Sequence, residues 1–392
     1  MKIYKIEKKN ENCTIEGIFL VLLLLAKFFL LYNDNKQNVY IIVYTGTILT
    51  LLFAYFVINN FCALSSYKFW LCLILTIIIS LIVKNLNIFF LYLGALNFIS
   101  KKGGIRQYIK WFGIGLSIGL TLSIFLSSFY VIQASFLPAS RSGYYLYDFG
   151  LGHHNSPFMF YICIVLCFLL YSKSKILRLV LFIGALILFK YTYSRTGFLC
   201  VAIVFALEIV KVLKCKTIFM KYCFILTPLI FLGVSYIIAL KLNTVFFNKL
   251  LSTRPMLFNL CINSFHITLF GNDFNSVRIL NDTSPIIVDN FFLNLLYGGG
   301  VIVFVAYICL YLIVFYFAYK VNNIYLKNIL FAFMIYGIFE ANITSFIMNF
   351  PVGILFIAFL SNKSILYSFL EIDNDNLIFI NTFSKKNILI KT

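Results

Sequence analysis

Residues 111–132 read WFGIGLSIGLTLSIFLSSFYVI, a run without a single charge. A helix needs about 20 mostly apolar residues to cross the hydrocarbon of a bilayer, so this segment is long enough to span one. Outward from it the same pattern repeats. Apolar runs cut at charged or Asn/Gly-rich breaks lie at residues 14–32, 39–58, 69–83, 88–100, 158–172, 177–193, 198–213, 221–240, 297–319, 328–345 and 346–362. The 392 residues are 62% hydrophobic and 11% charged, with a mean hydropathy of +0.97, which is too apolar for a soluble domain. The expected fold is all-α: a polytopic transmembrane helical bundle of about twelve spans forming one integral membrane domain. A large extracytoplasmic loop carrying short helices lies between spans 9 and 10. Cysteines such as Cys72, Cys163, Cys167, Cys223 and Cys309 fall inside apolar runs, where they pack as small hydrophobes, and no structural disulfide is expected.

The first run is too long and too weakly flanked for a cleaved signal peptide, and is expected to be retained. Lysine and arginine collect in short loops that stay cytoplasmic, which orients the rest. With the N-terminus inside, the outer segments hold Lys36, Lys84, Arg141, Arg195, Lys241, Lys249, Arg254 and Arg278. Lys27 and Lys190 fall within spans, and the other basic residues lie inside. The count also decides the cut at Lys84-Asn85-Leu86-Asn87, because fusing residues 69–100 into one span would send Lys101, Lys102, Arg106 and Lys110 outside. Both termini are then cytoplasmic. The net charge of +19 mainly records this topology, with some attraction for anionic lipid heads, and nucleic acid is not an expected partner.

Two outer segments exceed turn length, residues 133–157 and 241–296. The second is apolar enough to lie on or between the spans. Thr253 is placed to cap a helix, Pro255 suits its first turn, and Gly271 would stop it after Phe270. Asn259, Asn263 and His266 would share one face of it. An amphipathic helix resting at the membrane interface is the plain reading of that pattern.

Arginine and lysine segregate in opposite directions. Arg141, Arg195, Arg254 and Arg278 are outside, with Arg106 and Arg178 inside, whereas lysine is overwhelmingly inside. A guanidinium offers a fixed fork of donors suited to phosphate or carboxylate, so arginines held against the topological bias point to a bound anion. Each alone can be a salt-bridged surface residue, with Asp148, Asp273 or Asp282 in reach along the chain. His153, His154 and His266 are all outside too. His154 or His266 is a candidate base, against the more ordinary reading of polar loop residues. No zinc ligand spacing accompanies them, and no metal or other cofactor is expected. Glu340 interrupts a span and is a functional candidate or a structural partner for Arg or Tyr. Asp289-Asn290 closes the long loop, and Gly298-Gly299-Gly300 opens the next span without the Lys-Ser/Thr of a phosphate loop. Asp373-Asn-Asp375 lies in the tail with no domain around it and is set aside.

In this order the segments resemble the Wzy-type repeat-unit polymerases of bacterial surface polysaccharides, within the O-antigen ligase/polymerase superfamily. The matching residues are Gly152-His-His-Asn155, Tyr193-Ser-Arg-Thr-Gly197, Arg254 with Leu269-Phe-Gly271, and Val288-Asp-Asn290 followed by Leu293. The likeness covers residues 135–320, and the N-terminal spans only as hydropathy. His266 follows Arg254 at a spacing that departs from the pattern. The resemblance implies a cytoplasmic-membrane enzyme that moves a growing glycan from undecaprenyl diphosphate onto a new lipid-linked repeat. It would act on the outer face, with membrane lipids, a flippase and a chain-length regulator as partners. It implies catalytic or diphosphate-facing roles for Arg254, Asp289, His154 and His266, and glycan or diphosphate contacts for Arg141, Arg195, Arg278, Asn155, Tyr193, Asn290 and Glu340. A lipid-linked oligosaccharide flippase and a glycan ligase are the alternatives, and a purely structural membrane protein is the third.

Overall fold

The computed structural model describes residues 14–31, 67–82, 87–99, 104–129, 136–138, 145–151, 153–172, 174–210, 218–251, 253–274, 288–321, 324–341 and 349–360. The span expected at 39–58 and the candidates Arg141 and Arg278 lie outside them. Helices make up 83% of the described residues. In order, apart from a short helical turn at Phe291–Leu293 that runs into π-helical Asn294–Gly298, they are α1 (Thr14–Leu31), α2 (Tyr67–Ile82), α3 (Asn87–Leu96), α4 (Gly104–Ser128), α5 (Ser156–Tyr171), α6 (Lys175–Thr192), α7 (Arg195–Val210), α8 (Ile218–Ile225), α9 (Thr227–Lys241), α10 (Val245–Leu250), α11 (Arg254–Ser264), α12 (Gly300–Val321), α13 (Ile324–Phe339) and α14 (Phe350–Leu360). Two, α4 and the Gly300–Lys320 stretch of α12, are long and apolar enough to cross a membrane, and the bent pair α8–α9 makes a third.

Helix α5 is the axis of the bundle. Pro157 sits in its first turn, where a missing N–H costs nothing, and buried residues run all round it from Phe158 to Leu170. It packs on α4, α6, α7 and α13. Helix α6 is its opposite. Only Leu181, Ala185, Leu188 and Thr192 are buried, at the spacing of one helical stripe, while Ile176, Leu179, Val180, Ile183, Leu186 and Ile187 are exposed. An apolar face left open in this way suits hydrocarbon better than water. Aromatic rings tie the helices together: Phe112 meets Phe350 at 5.9 Å, Phe350 meets Phe333 at 6.2 Å, and Tyr311 joins Phe333 to Phe291.

Helices α5, α7 and α12 begin at one end of the bundle, the upper end, where α6, α9 and α13 finish. Three boundaries differ from the pattern read in the sequence. The single run at 221–240 is two helices bent by 68°. Pro228 has no N–H for the helix ladder, and the Thr227 hydroxyl donates to the freed Phe224 carbonyl at 2.7 Å. Residues 328–345 do not form one helix either, because α13 stops at Phe339. In the long loop the helix at Thr253 ends at Ser264 instead of Phe270. Thr253 precedes it in left-handed geometry (φ 64°) with no side-chain cap, and the Asn248 side chain accepts from the Met256 N–H instead.

Beyond α11 the chain runs back across the start of α12. The Val301 N–H donates to the Thr268 carbonyl at 2.9 Å and the Asn272 N–H to that of Tyr297 at 2.9 Å. Gly271 and Gly300 both have positive φ, and a Cβ on either would run into the opposite backbone. The glycines that open the span therefore serve a backbone crossing. A two-stranded hairpin, β1 (Phe136–Pro138) with β2 (Tyr145–Tyr147), lies in the first long loop and had no signature in the sequence pattern.

Candidate functional site

Four distant segments meet at the upper end around one carboxylate. Glu340 follows the last residue of α13 and is 3% exposed. Its Oε1 accepts from Arg254 Nη2 at 3.0 Å, from Thr196 Oγ1 at 3.3 Å and from Asn155 Nδ2 at 3.4 Å. Arg254 Nε donates to the Phe339 carbonyl at 3.1 Å, and Nη2 lies 3.8 Å from Asp289 Oδ2. A buried carboxylate needs a partner, and here a fork of donors locks it to the end of its own helix. Among the described residues no donor reaches Oε2, and Arg254 Nη1 makes no hydrogen bond.

Local sequence explains the placement. Helix α11 begins at Arg254-Pro255, so the guanidinium projects from a fixed first turn. Tyr193 ends α6 in left-handed geometry and turns the chain sharply into α7, which brings Thr196 inward. Asn290 makes the frame: its Nδ2 donates to the Ile338 carbonyl at 2.8 Å and to Ser235 Oγ at 2.9 Å, and its Oδ1 accepts from the Leu293 N–H. Asn290 and Arg254 thus occupy the last two carbonyls of α13, which the helix's own ladder leaves without donors.

The paired histidines sit beside this centre. Their rings are 4.3 Å apart, and His153 Nδ1 accepts from the Asn155 N–H, which leaves its Nε2 as the protonated nitrogen when neutral. Burial lowers His154 to about 4, helped by the charges of His153 and Arg254 and opposed by Asp148. His153 is lowered by loss of hydration and by Arg254, against the pull of Asp289 and Asp148. Both rings are neutral near pH 7, and His154 Nδ1 is buried with no hydrogen-bond partner. Asp289 has a third of its side chain exposed, which makes it the accessible carboxylate of the cluster.

Of the residues singled out in the sequence, Arg254, Asp289, Glu340 and Asn155 converge, with His154 adjacent. Glu340 has the arginine partner foreseen for it. Others stand apart. Arg195 is exposed, with its guanidinium 5.4 Å from the Tyr193 ring centre, and that ring stacks on Phe189. Tyr193 therefore shapes the turn. Asn290 is fully buried, and its amide is taken up by the Ile338 carbonyl, the Ser235 hydroxyl and the Leu293 N–H. His266 lies beyond the end of α11, exposed, off the face shared by Asn259 and Asn263, and contributes only its carbonyl to Asn272. Thr196 stands in the quoted Tyr193–Gly197 segment but was not singled out, and Ser235 carries neither a charge nor a motif. Among the described residues no three His, Cys, Asp or Glu side chains converge as metal ligands. No family model matches the chain, and neither a curated protein nor a solved structure is similar to it.

Proposed function

We propose that this protein is a membrane-embedded glycosyltransferase of the repeat-unit polymerase type. It would transfer a growing glycan from a polyprenyl diphosphate to the hydroxyl of a second lipid-linked repeat, at the upper end of the bundle on the outer face of the bacterial cytoplasmic membrane. One observation carries this reading. Asn155, Thr196, Arg254 and Asp289, drawn from the four segments that resemble such polymerases, meet within hydrogen-bonding or ion-pair reach of one another or of Glu340.

In this reading the acceptor hydroxyl oxygen attacks the anomeric carbon as the carbon–oxygen bond to the diphosphate breaks, and the bonding pair leaves with the diphosphate. Asp289, the more accessible of the two carboxylates, takes the hydroxyl proton, with neutral His154 as the second candidate. Arg254 is held by Glu340 and the Phe339 carbonyl, so it meets the departing diphosphate through Nη1 while its other nitrogens hold the site rigid. A preorganised fork of this kind loses no reorganisation energy during the reaction.

The test is deletion of the gene in its host, sizing of the lipid-linked glycan, and complementation with Arg254→Ala and Asp289→Asn. Single repeats accumulating on the outer leaflet, unrescued by either variant, are the expected result. Repeats trapped on the inner leaflet would make the protein a flippase, and long chains left on lipid would make it a ligase.

A further inference from the structure

The centre of the bundle holds polar atoms with no hydrogen-bond partner among the described residues. Six fully buried rings run through it in an unbroken column: Tyr311, Phe333, Phe350, Phe112, Tyr108 and Phe98, with consecutive centroids 5.5 to 6.3 Å apart. Helix α14 begins partway down this column, because its first residue, Phe350, lies between Phe333 and Phe112. At the upper part the Tyr311 hydroxyl donates to Asn349 Oδ1 at 2.8 Å, but Asn349 Nδ2 finds no acceptor. Tyr336, three residues above Phe333 on α13, has no partner for its hydroxyl either. Tyr108 lies one turn below Phe112 on α4, and its hydroxyl is again without a partner, pressed against the bare Gly353, where a Cβ would collide with it. Tyr336, Asn349 and Tyr108 are all fully buried.

Each of these places has further polar lining. Cys163 of α5 stands within electrostatic reach of the Tyr336 and Tyr311 hydroxyls, and Cys167, one turn lower, within reach of Tyr108. Tyr336 is in similar reach of Glu340 and Arg254, so the upper place adjoins the candidate site. A hydroxyl or amide buried alone is costly, and folded proteins meet it with ordered water, which bonds to about three polar groups. Between the two places the column offers nothing to bond. Phe333, Phe350 and Phe112 have no polar side-chain atom, and packed apolar constrictions exclude water. Intramembrane polar groups mark routes for protons, so a polar file unbroken from end to end would dissipate the proton gradient.

We propose that the bundle core binds water in two pockets, one at Tyr336 and Asn349 and one at Tyr108, and that Phe333, Phe350 and Phe112 form the dry septum between them that keeps protons from crossing the membrane. The upper pocket extends the hydration of the Glu340 centre inward and ends blindly on the rings. This holds whatever reaction the centre performs.

The waters are tested on the unmodified full-length chain in phosphatidylcholine nanodiscs. A brief X-ray pulse turns bound water into hydroxyl radicals, which oxidise the side chains beside it, and mass spectrometry locates the products. Tyr336 and Tyr108 should be oxidised while the rings of Phe333 and Phe350 stay unmodified. Tyrosines as inert as those two rings overturn the proposal. The septum is tested in vesicles of phosphatidylcholine and phosphatidylglycerol that enclose a pH-sensitive dye. After a pH jump outside, vesicles carrying the wild-type chain should be as tight as protein-free ones. Phe350→Ser and Phe112→Ser, each shown to be monodisperse by gel filtration, should admit protons, and Tyr108→Phe added to either should slow the leak again. A leaky wild-type chain, or folded serine variants that stay tight, would remove the septum. Should neither serine variant fold, the wild-type vesicles and the oxidation pattern decide on their own.

Discussion

Arg254→Ala strips Glu340 of its cation among the described residues and leaves the Phe339 carbonyl without its donor, in a place where Glu340 is almost wholly enclosed. Breaking a buried pair from one side costs roughly 3–5 kcal/mol, while replacing both partners by apolar groups is often neutral. The double variant Arg254→Leu/Glu340→Leu should therefore melt closer to wild type than Arg254→Ala does, yet remain inactive. Detergent-solubilised protein followed by thermal unfolding decides this, and additive losses in the double variant would show that the pair is not coupled. His154 carries a pH prediction. Its folded value of about 4 lies below the ordinary value of 6.5, so the unfolded chain binds the proton first as pH falls. The stability that a neutral His154 contributes is complete above about pH 6.5 and is lost on the way down to 4. His154→Gln should flatten the decline of melting temperature over that window, and parallel curves for the two proteins would contradict it.

The helices themselves were legible from apolar length, because a spanning segment shows itself as a continuous run. Their ends were not. At the end of α13 the last two carbonyls are taken by Asn290 and Arg254, both distant in sequence, and no local residue announces that. Thr196 was unreadable for the same reason: a threonine acquires its role only when Glu340 arrives beside it. The charged members, Arg254, Asp289 and Glu340, could be found because a charge in an apolar chain is conspicuous at once. Asn290→Asp tests the framing role, since it puts an acceptor against the Ile338 carbonyl and the Ser235 hydroxyl loses a donor. It should destabilise more than Asn290→Ala, which costs about 1–3 kcal/mol for the carbonyl left unpaired. An Asp variant as stable as the Ala one would mean that the amide donor matters little. At the crossing of the long loop over α12, Gly300→Ala combines a positive φ with collision against Gly271 and should lower the yield of folded protein, as judged by gel filtration.

At the scale of the whole molecule the described arginines divide between the two ends of the bundle. Arg106 stacks on Tyr171 at the end opposite the Glu340 centre, while Arg195 and Arg254 stand at the upper end. Single cysteines placed at Lys190 and Phe246, in a chain otherwise cleared of cysteine, should react with an impermeant thiol reagent in intact spheroplasts. One at Lys175 should react only after the membrane is opened, and the reverse pattern would invert the topology. The ion pair also governs the order of assembly. Synthesis runs from the N-terminus, so Arg254 leaves the ribosome 86 residues ahead of Glu340. Helix α13 is then handed to the insertion machinery with an unmatched acid at its tip, where even a helix-centre carboxylate costs only about 2.5–3.5 kcal/mol. Until the carboxylate docks, the guanidinium of α11 has no helix to close on, and a nascent chain stalled or truncated at that stage exposes both charges to the proteases that survey the membrane.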